Sequence, residues 1–281
     1  LFAKNPFYPT NSLIQTSKQT DELLEASKHQ AKASDEVVRS IECWCLHGAV
    51  GAASDWRGFA SGLAKHGIST RAVDLWRFLQ CESVTMPEFG KRLNADAEGE
   101  VSRSDRRILV GYSMGGRLAL HALLESGPWD AAVIISASPG LREPQEAIQR
   151  RSQDAHWATR ALTESWSDFL HEWNSQPILG GAMRDEREDK KLIQRRREIA
   201  RSFVDWSLGN QLNLWDRLAE IKIPVLWIAG ENDEKFSAIA REASEKSPHF
   251  SLAIAPATGH RVPWENEVWM NKTLHEYLAA P

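Results

Sequence analysis

Three stretches of this chain are almost continuously apolar, yet each is only about as long as one β-strand: "RRILVGYS" (106–113), "AAVIISAS" (131–138) and "IPVLWIAGE" (223–231). A strand with one solvated face alternates apolar and polar residues, so unbroken runs of this length belong to a sheet covered on both sides. Shorter β-prone runs lie at 42–46, 70–73 and 250–255, with helical patterns at 56–66 and 114–124. Short strands alternating with helices of about ten residues make βαβ units. The expected class is therefore α/β: a mostly parallel central sheet flanked by helices.

Between 142 and 208 the β signal disappears, and a charged helical pattern carries Trp157, Trp166, Trp173 and Trp206. Charge alone would mean a solvated face. The interleaved tryptophans require at least one buried side, so this stretch is expected to be a helical cap over the carboxyl end of the sheet. That divides the chain into a polar extension (1–39), a core (40–141 and 209–281) and a cap (142–208). The extension has Leu13, Ile14, Leu23 and Leu24 as its main apolar anchors, and a helix is expected over 20–32. It lacks the pattern of a secretory signal, which points to a cytoplasmic protein, or to an organelle stroma or matrix if the extension is a processed remnant.

Composition excludes several classes. The 34 Lys and Arg against 38 Asp and Glu give a net charge of −4 with no basic tract, which argues against nucleic-acid binding. No apolar run approaches the roughly 20 residues that cross a bilayer. Three cysteines are too few, and an odd number, for a disulfide framework. Cys43 and Cys45 alternate along a strand, as buried thiols in a reducing compartment would, and no metal-ligand spacing or phosphate-binding glycine loop accompanies them. No cofactor is expected, and the sequence leaves the oligomeric state open.

The chemistry centres on Gly111-Tyr112-Ser113-Met114-Gly115, a G-x-S-x-G directly after one expected strand and directly before a helix. A sharp strand-to-helix turn of this kind lifts the serine hydroxyl above the sheet edge, and the small flanking residues give it room. A serine nucleophile needs a base, and the base an orienting acid, in the order Ser, Asp or Glu, His. Asp233 lies in "GENDEKF" after one strand and His260 in "ATGHRVPWE" after the next. Glu231 and Glu234 compete with Asp233, which could also be a simple helix cap, and His260 could be a surface histidine. His47-Gly48-Ala49 follows the first strand. Its turn would aim the Ala49 amide at an oxyanion hole completed by the Met114 amide, unless it is an ordinary turn around a buried histidine. Arg117, four residues after Ser113, lies one turn along the same helix face. A guanidinium there needs an anion, either a substrate carboxylate or an internal acid such as Glu125.

Together, "GYSMGGRLAL" (111–120), "SPGL" (138–141), "WNSQP" (173–177), "LWDRL" (214–218) and "GENDEKF" (230–236) resemble the α/β-hydrolase superfamily over about 41–279. Within it they are similar to the 2-succinyl-6-hydroxy-2,4-cyclohexadiene-1-carboxylate synthases of menaquinone biosynthesis. The resemblance implies a Ser113–His260–Asp233 triad that eliminates pyruvate from a multiply carboxylated, small-molecule anionic substrate. It also implies substrate contacts from Tyr112, Arg117, Arg150, Trp173 and Arg196, with Arg195 and Arg197 as alternatives to Arg196. Two departures stand out. Ala49 replaces an aromatic residue, and "DLWRFLQCES" (74–83) replaces the usual Asp-Leu-Pro-Gly-His-Gly, so Trp76, Arg77 and Phe78 are expected to border the pocket mouth and reshape substrate choice. The family's first two strands are not evident. A serine hydrolase of an ester, thioester or carbon–carbon bond, and a non-catalytic binding module, are the competing readings.

Overall fold

The β-prone runs become six strands: β1 (Ile41–Leu46), β2 (Ile68–Val73), β3 (Arg106–Tyr112), β4 (Ala131–Ile135), β5 (Val225–Gly230) and β6 (Phe250–Ala255). All pair in parallel in one sheet, in the order β2-β1-β3-β4-β5-β6. The computed structural model describes residues 40–100, 104–180 and 191–279. The polar extension and its expected helix over 20–32 lie outside the described residues.

Period-two alternation sorts the strand side chains into two cores. Trp44, Leu46, Leu109, Ala132, Ile134, Val225 and Trp227 face one side of the sheet. Cys43, Cys45, Ile108, Val110, Ala131, Val133, Leu226 and Ile228 face the other. Every residue of β4 and β5 is buried, as the continuous apolar runs require. Helices α1 (Arg57–Ala64) and α9 (Glu267–Ala279) cover the second face through Phe59, Leu63, Met270 and Leu274. Helices α2 (Met86–Gly99), α3 (Met114–Leu124) and α7 (Glu234–Ser244) cover the first. Burial raises the Cys43 thiol to about 12 and raises Cys45 as well, so neither sulfur is a ready nucleophile.

The helix that leaves β3 is firmly anchored. A Cβ on Gly90 would lie 2.9 Å from the Ala122 backbone nitrogen, so only glycine lets α2 approach α3 this closely. Asn94 Nδ2 donates to the carbonyls of Ala122, Glu125 and Ser126, filling acceptors at the carboxyl end of α3. Trp129 Nε1 donates to Asn94 Oδ1 at 2.7 Å.

His121 on α3 is 3% exposed, and its Nε2 has no hydrogen-bond partner among the described residues. Burial, aided by the charges of Arg117 and Arg217, holds its pKa down at about 4 against an ordinary 6.5. The unfolded chain therefore binds the extra proton between those values, and the stability from keeping this imidazole neutral is present above pH 6.5 and lost as pH falls toward 4. His121→Leu is expected to remove about 2–3 kcal/mol of the stability lost over that range. Urea unfolding of both proteins at the two ends of the range measures it.

Between β4 and β5 the chain forms α4 (Pro144–Thr163), α5 (Trp166–Asn174) and α6 (Arg196–Asp205). Two of the tryptophans in this stretch meet each other. Trp157 and Trp173 pack edge to face at 5.1 Å, and Trp173 meets Phe203 at 5.1 Å. The segment after β2 serves as a dock for these helices. Arg201 donates to the carbonyls of Leu79 and Glu82, Trp206 Nε1 to that of Val84, and Arg195 pairs with Asp74 at 2.7 Å.

Candidate active site

β1 pairs with β2 on one side and β3 on the other, so the chain reverses its direction of winding between β1 and β3. Loops leaving the carboxyl ends of strands flanking such a switch point splay apart and leave a crevice. The two loops here carry His47–Gly51 and Ser113.

Ser113 has φ 51° and ψ −112°, a left-handed backbone unfavourable for any residue with a Cβ. The neighbours hold it there. Its N–H donates to the Ile135 carbonyl at 2.8 Å, and its carbonyl accepts the Arg117 N–H at 3.1 Å, the first turn of α3. Both glycines of the motif are forced by close approach. A Cβ on Gly111 would lie 2.6 Å from the Gly115 carbonyl oxygen, and one on Gly115 only 2.3 Å from that of Leu46.

His260 and Asp233 complete a relay. His260 Nε2 lies 3.1 Å from Ser113 Oγ, and Nδ1 lies 2.6 Å from Asp233 Oδ2. A carboxylate only accepts, so the imidazole proton sits on Nδ1 and leaves Nε2 to accept from the serine hydroxyl. Asp233 has both of the roles the sequence offered. Oδ1 accepts the Phe236 N–H at the start of α7, while Oδ2 holds His260. Glu231 accepts the Ala257 N–H instead, bracing the loop after β6. Asp233 and His260 are both buried. Phe236 and Tyr112 pack on the imidazole at 4.6 and 5.6 Å, and burial raises the Tyr112 phenol above its ordinary pKa.

One residue that sequence reasoning missed grips the histidine from outside. Glu265, in the short helix α8 (Val262–Glu265), accepts the Gly259 N–H on Oε2 and the Arg261 N–H on Oε1 at 3.0 Å. One carboxylate thus binds the backbone on both sides of His260. Its place five residues after the histidine was visible, but nothing in the sequence showed the chain turning back on itself. Glu265→Ala is expected to lower kcat about 10- to 100-fold with KM nearly unchanged, and Glu265→Gln, which keeps one acceptor, to recover part of the loss.

His47 is fully buried, with Nε2 accepting the Leu75 N–H at 3.3 Å and Nδ1 2.9 Å from the Gly48 carbonyl oxygen. A Cβ on Gly48 would strike the Tyr112 ring at 2.7 Å. Ala49 and Ser113 line one cavity of about 400 Å³, together with Tyr112, Asp55, Arg57, Leu170, Trp173, Asn174, Leu179, Arg261, Trp264 and Glu265. Met114 opens α3, where the first N–H groups have no intrahelical acceptor.

The arginines expected at substrate do not line this cavity. Arg117 is buried with only neutral partners among the described residues, Gln211 Oε1 at 3.3 Å and Met86 Sδ at 3.9 Å, and not Glu125. Burial, and then the charge of Arg150, lower its pKa to about 9, with Asp154 opposing. Arg150 pairs with Asp154 at 2.9 Å and borders a separate depression beside Trp215 and Lys235. Arg196 donates to the Glu164 carbonyl and lies over the Trp166 ring, and Arg195 is held by Asp74. The expectation for 76–78 is corrected too. Trp76 is buried, with Nε1 on the Gly51 carbonyl, Arg77 pairs with Asp96, and Phe78 packs on Phe89. They support the loop and the inserted helices from behind, because the chain after β2 runs under α6 rather than over the cavity. Among the described residues, no cluster of three His, Cys, Asp or Glu is placed to hold a metal ion.

A parallel sheet with this strand order, a left-handed serine at its switch point and a Ser–His–Asp relay define an α/β-hydrolase architecture. The sequence profile of the alpha/beta hydrolase family matches residues 45–272, and the chain belongs to that family. A Bacillus subtilis protein provisionally named 2-succinyl-6-hydroxy-2,4-cyclohexadiene-1-carboxylate synthase is 34% identical over 179 residues, which are 61% of this chain and 65% of that protein, just under two thirds of it. The synthase of that name from Serratia proteamaculans is 27% identical over 247 residues, covering 84% of this chain and 92% of the relative. Among solved structures, MenH from S. aureus superposes with a TM-score of 0.76 at 24% identity, covering 86% of this chain and 95% of that one, a likeness of fold.

Proposed function

We propose that this chain is a serine-triad lyase of the 2-succinyl-6-hydroxy-2,4-cyclohexadiene-1-carboxylate synthase type, eliminating pyruvate from a carboxylated cyclohexene in menaquinone biosynthesis. The observation that carries the reading is the Ser113–His260–Asp233 relay at a cavity of about 400 Å³ that Ser113 lines, in a chain whose relatives bear that name. His260 takes the Ser113 proton, and the alkoxide removes a ring proton from the substrate. The electron pair of the broken C–H bond enters the ring, the C–O bond to the enolpyruvyl group breaks, and the departing enolate takes up a proton to become pyruvate. Asp233 holds the imidazole in the required tautomer and offsets its positive charge.

The amides of Ala49 and Met114 are assigned to the oxygen that gains charge in the transition state, where fixed donors act most strongly. Tyr112 and Trp173 line the cavity and are assigned to substrate contact. Arg117 supplies a buried positive charge one turn from Ser113, where Gln211 and Met86 are its hydrogen-bond acceptors among the described residues and the charge of Asp154 acts on it from further off. Arg150 and Arg196 keep their internal partners and receive no role. The reading needs no cofactor, implies a cytoplasmic site of action, and fits the described residues, among which no helix is long and apolar enough to cross a membrane.

The test is a coupled assay of pyruvate release from the enolpyruvyl substrate, run beside a panel of simple esters. Pyruvate release with little ester turnover is expected. Folded protein that releases none ends the lyase reading. Burst kinetics with activated esters, and covalent labelling of Ser113 by an acyl-phosphonate, would replace it with an acyl-enzyme hydrolase.

A further inference from the structure

We propose that Trp264 is the specificity-determining wall of the Ser113 cavity and makes it select flat, unsaturated rings over puckered rings of the same size. Trp264 lies in α8, four residues after His260, and lines the cavity together with Ser113 and Tyr112. It is 38% exposed, the one Trp, Tyr or Phe among the described residues with so open a ring. A lone exposed apolar side chain needs no explanation where it is free to move. This one is fixed. Its Nε1 donates to the Asp55 carbonyl at 2.9 Å, its ring meets Tyr112 nearly perpendicular at 4.7 Å, and Trp56 packs on it at 5.6 Å. The backbone is held as well, with the Trp264 N–H on the Arg261 carbonyl at 2.9 Å.

A side chain already locked in place loses little conformational entropy when a ligand covers it, so the gain depends on how well the ligand matches its surface. The face of an indole is rich in electron density. It attracts the edge of a second aromatic or unsaturated ring, or stacks offset on its face. A puckered ring of the same carbon number brings fewer atoms to optimal distance and presents no complementary charge distribution. From the loop after β1, Gly48, Ala49 and Gly51 bring nothing larger than a methyl group to the wall, which leaves the space to a ligand. Trp173, from the inserted helices, lines the same cavity, so a flat ring beside Ser113 would meet aromatic surface from the core and from the insertion.

The proposal rests on the lyase reading, whose substrate is an unsaturated ring, and names a residue that selects it, yet its test does not depend on turnover. The full chain is titrated with benzoate and with cyclohexanecarboxylate, and binding is followed on the ligand protons by NMR. The two probes share charge and carbon number and differ in the flatness of the ring. Wild type is expected to bind benzoate about fivefold more tightly. Trp264→Leu should weaken benzoate about 5- to 10-fold and cyclohexanecarboxylate by no more than about twofold. Trp264→Phe keeps a flat ring and should retain most of the preference. Equal weakening of both ligands by Trp264→Leu would mean that the indole only braces the histidine loop. That result, or wild type with no preference for benzoate, overturns the proposal. Should Trp264→Leu not fold, Trp264→Met and the wild-type comparison still decide. Preference for the flat ring without pyruvate release would retain the wall and discard only the lyase. Pyruvate release with an unchanged preference in Trp264→Leu would discard only the wall.

Discussion

Ser113→Ala is expected to give a folded protein whose pyruvate release is lower by about 10⁴-fold or more. Among the described residues the hydroxyl is the hydrogen-bond partner of His260 Nε2, at 3.1 Å, so removing it leaves the imidazole without that oxygen to activate. Substrate affinity should change little, because the cavity wall is otherwise intact. Stability separates two replacements that activity cannot. At φ 51° any Cβ is strained, whereas glycine is at ease. Ser113→Gly should therefore be equally inactive but more stable than Ser113→Ala by about 1 kcal/mol, after allowing for the freer unfolded chain of glycine. Paired thermal melts measure the difference. Equal stability would mean that the turn relaxes around residue 113 and stores no strain. Activity surviving in either variant would mean that another group carries out the reaction.

Asp233→Asn is expected to cost about 10³-fold in kcat, with the fold preserved. The carboxamide is nearly isosteric, and its oxygen can still cap α7 by accepting the Phe236 N–H. Its NH₂ group then points a donor at His260 Nδ1, where the native contact is 2.6 Å from an acceptor. The imidazole is driven to its other tautomer, with the proton on Nε2, and can no longer accept from Ser113. Asp233→Ala should lose activity and also stability, by about 1 kcal/mol, because the cap is removed as well. The contrast between the two variants separates the electrostatic role of this carboxylate from its structural one. Similar stability and similar rates for both would show that Asp233 acts only as a helix cap.

The two roles of Asp233 illustrate how far the sequence could be read. Two readings were open for it, a capping residue and an orienting acid, and the structure shows one oxygen in each. Glu231 and Glu234 compete with it in sequence, where the position after the glycine turn favours Asp233, but a loop's local composition does not record which carboxylate turns inward. Arg117 shows the opposite limit. Its helix spacing from Ser113 was legible, but the partners that fill its surroundings, Met86 and Gln211, come from positions 31 and 94 residues away.

The sequence by itself determined the sheet and the elbow. Continuous apolar runs can only be strands buried on both faces, and G-x-S-x-G between strand and helix admits one tight turn, so periodicity and local sterics were sufficient. Only the tertiary structure decided which side chains share the cavity. Arg57, Arg261, Asn174 and Glu265 reach it, while Arg150, Arg196, Trp76, Arg77 and Phe78 do not. The direction of a loop or inserted helix is set by packing against distant residues, and that is a property of the folded whole, with no local pattern to announce it.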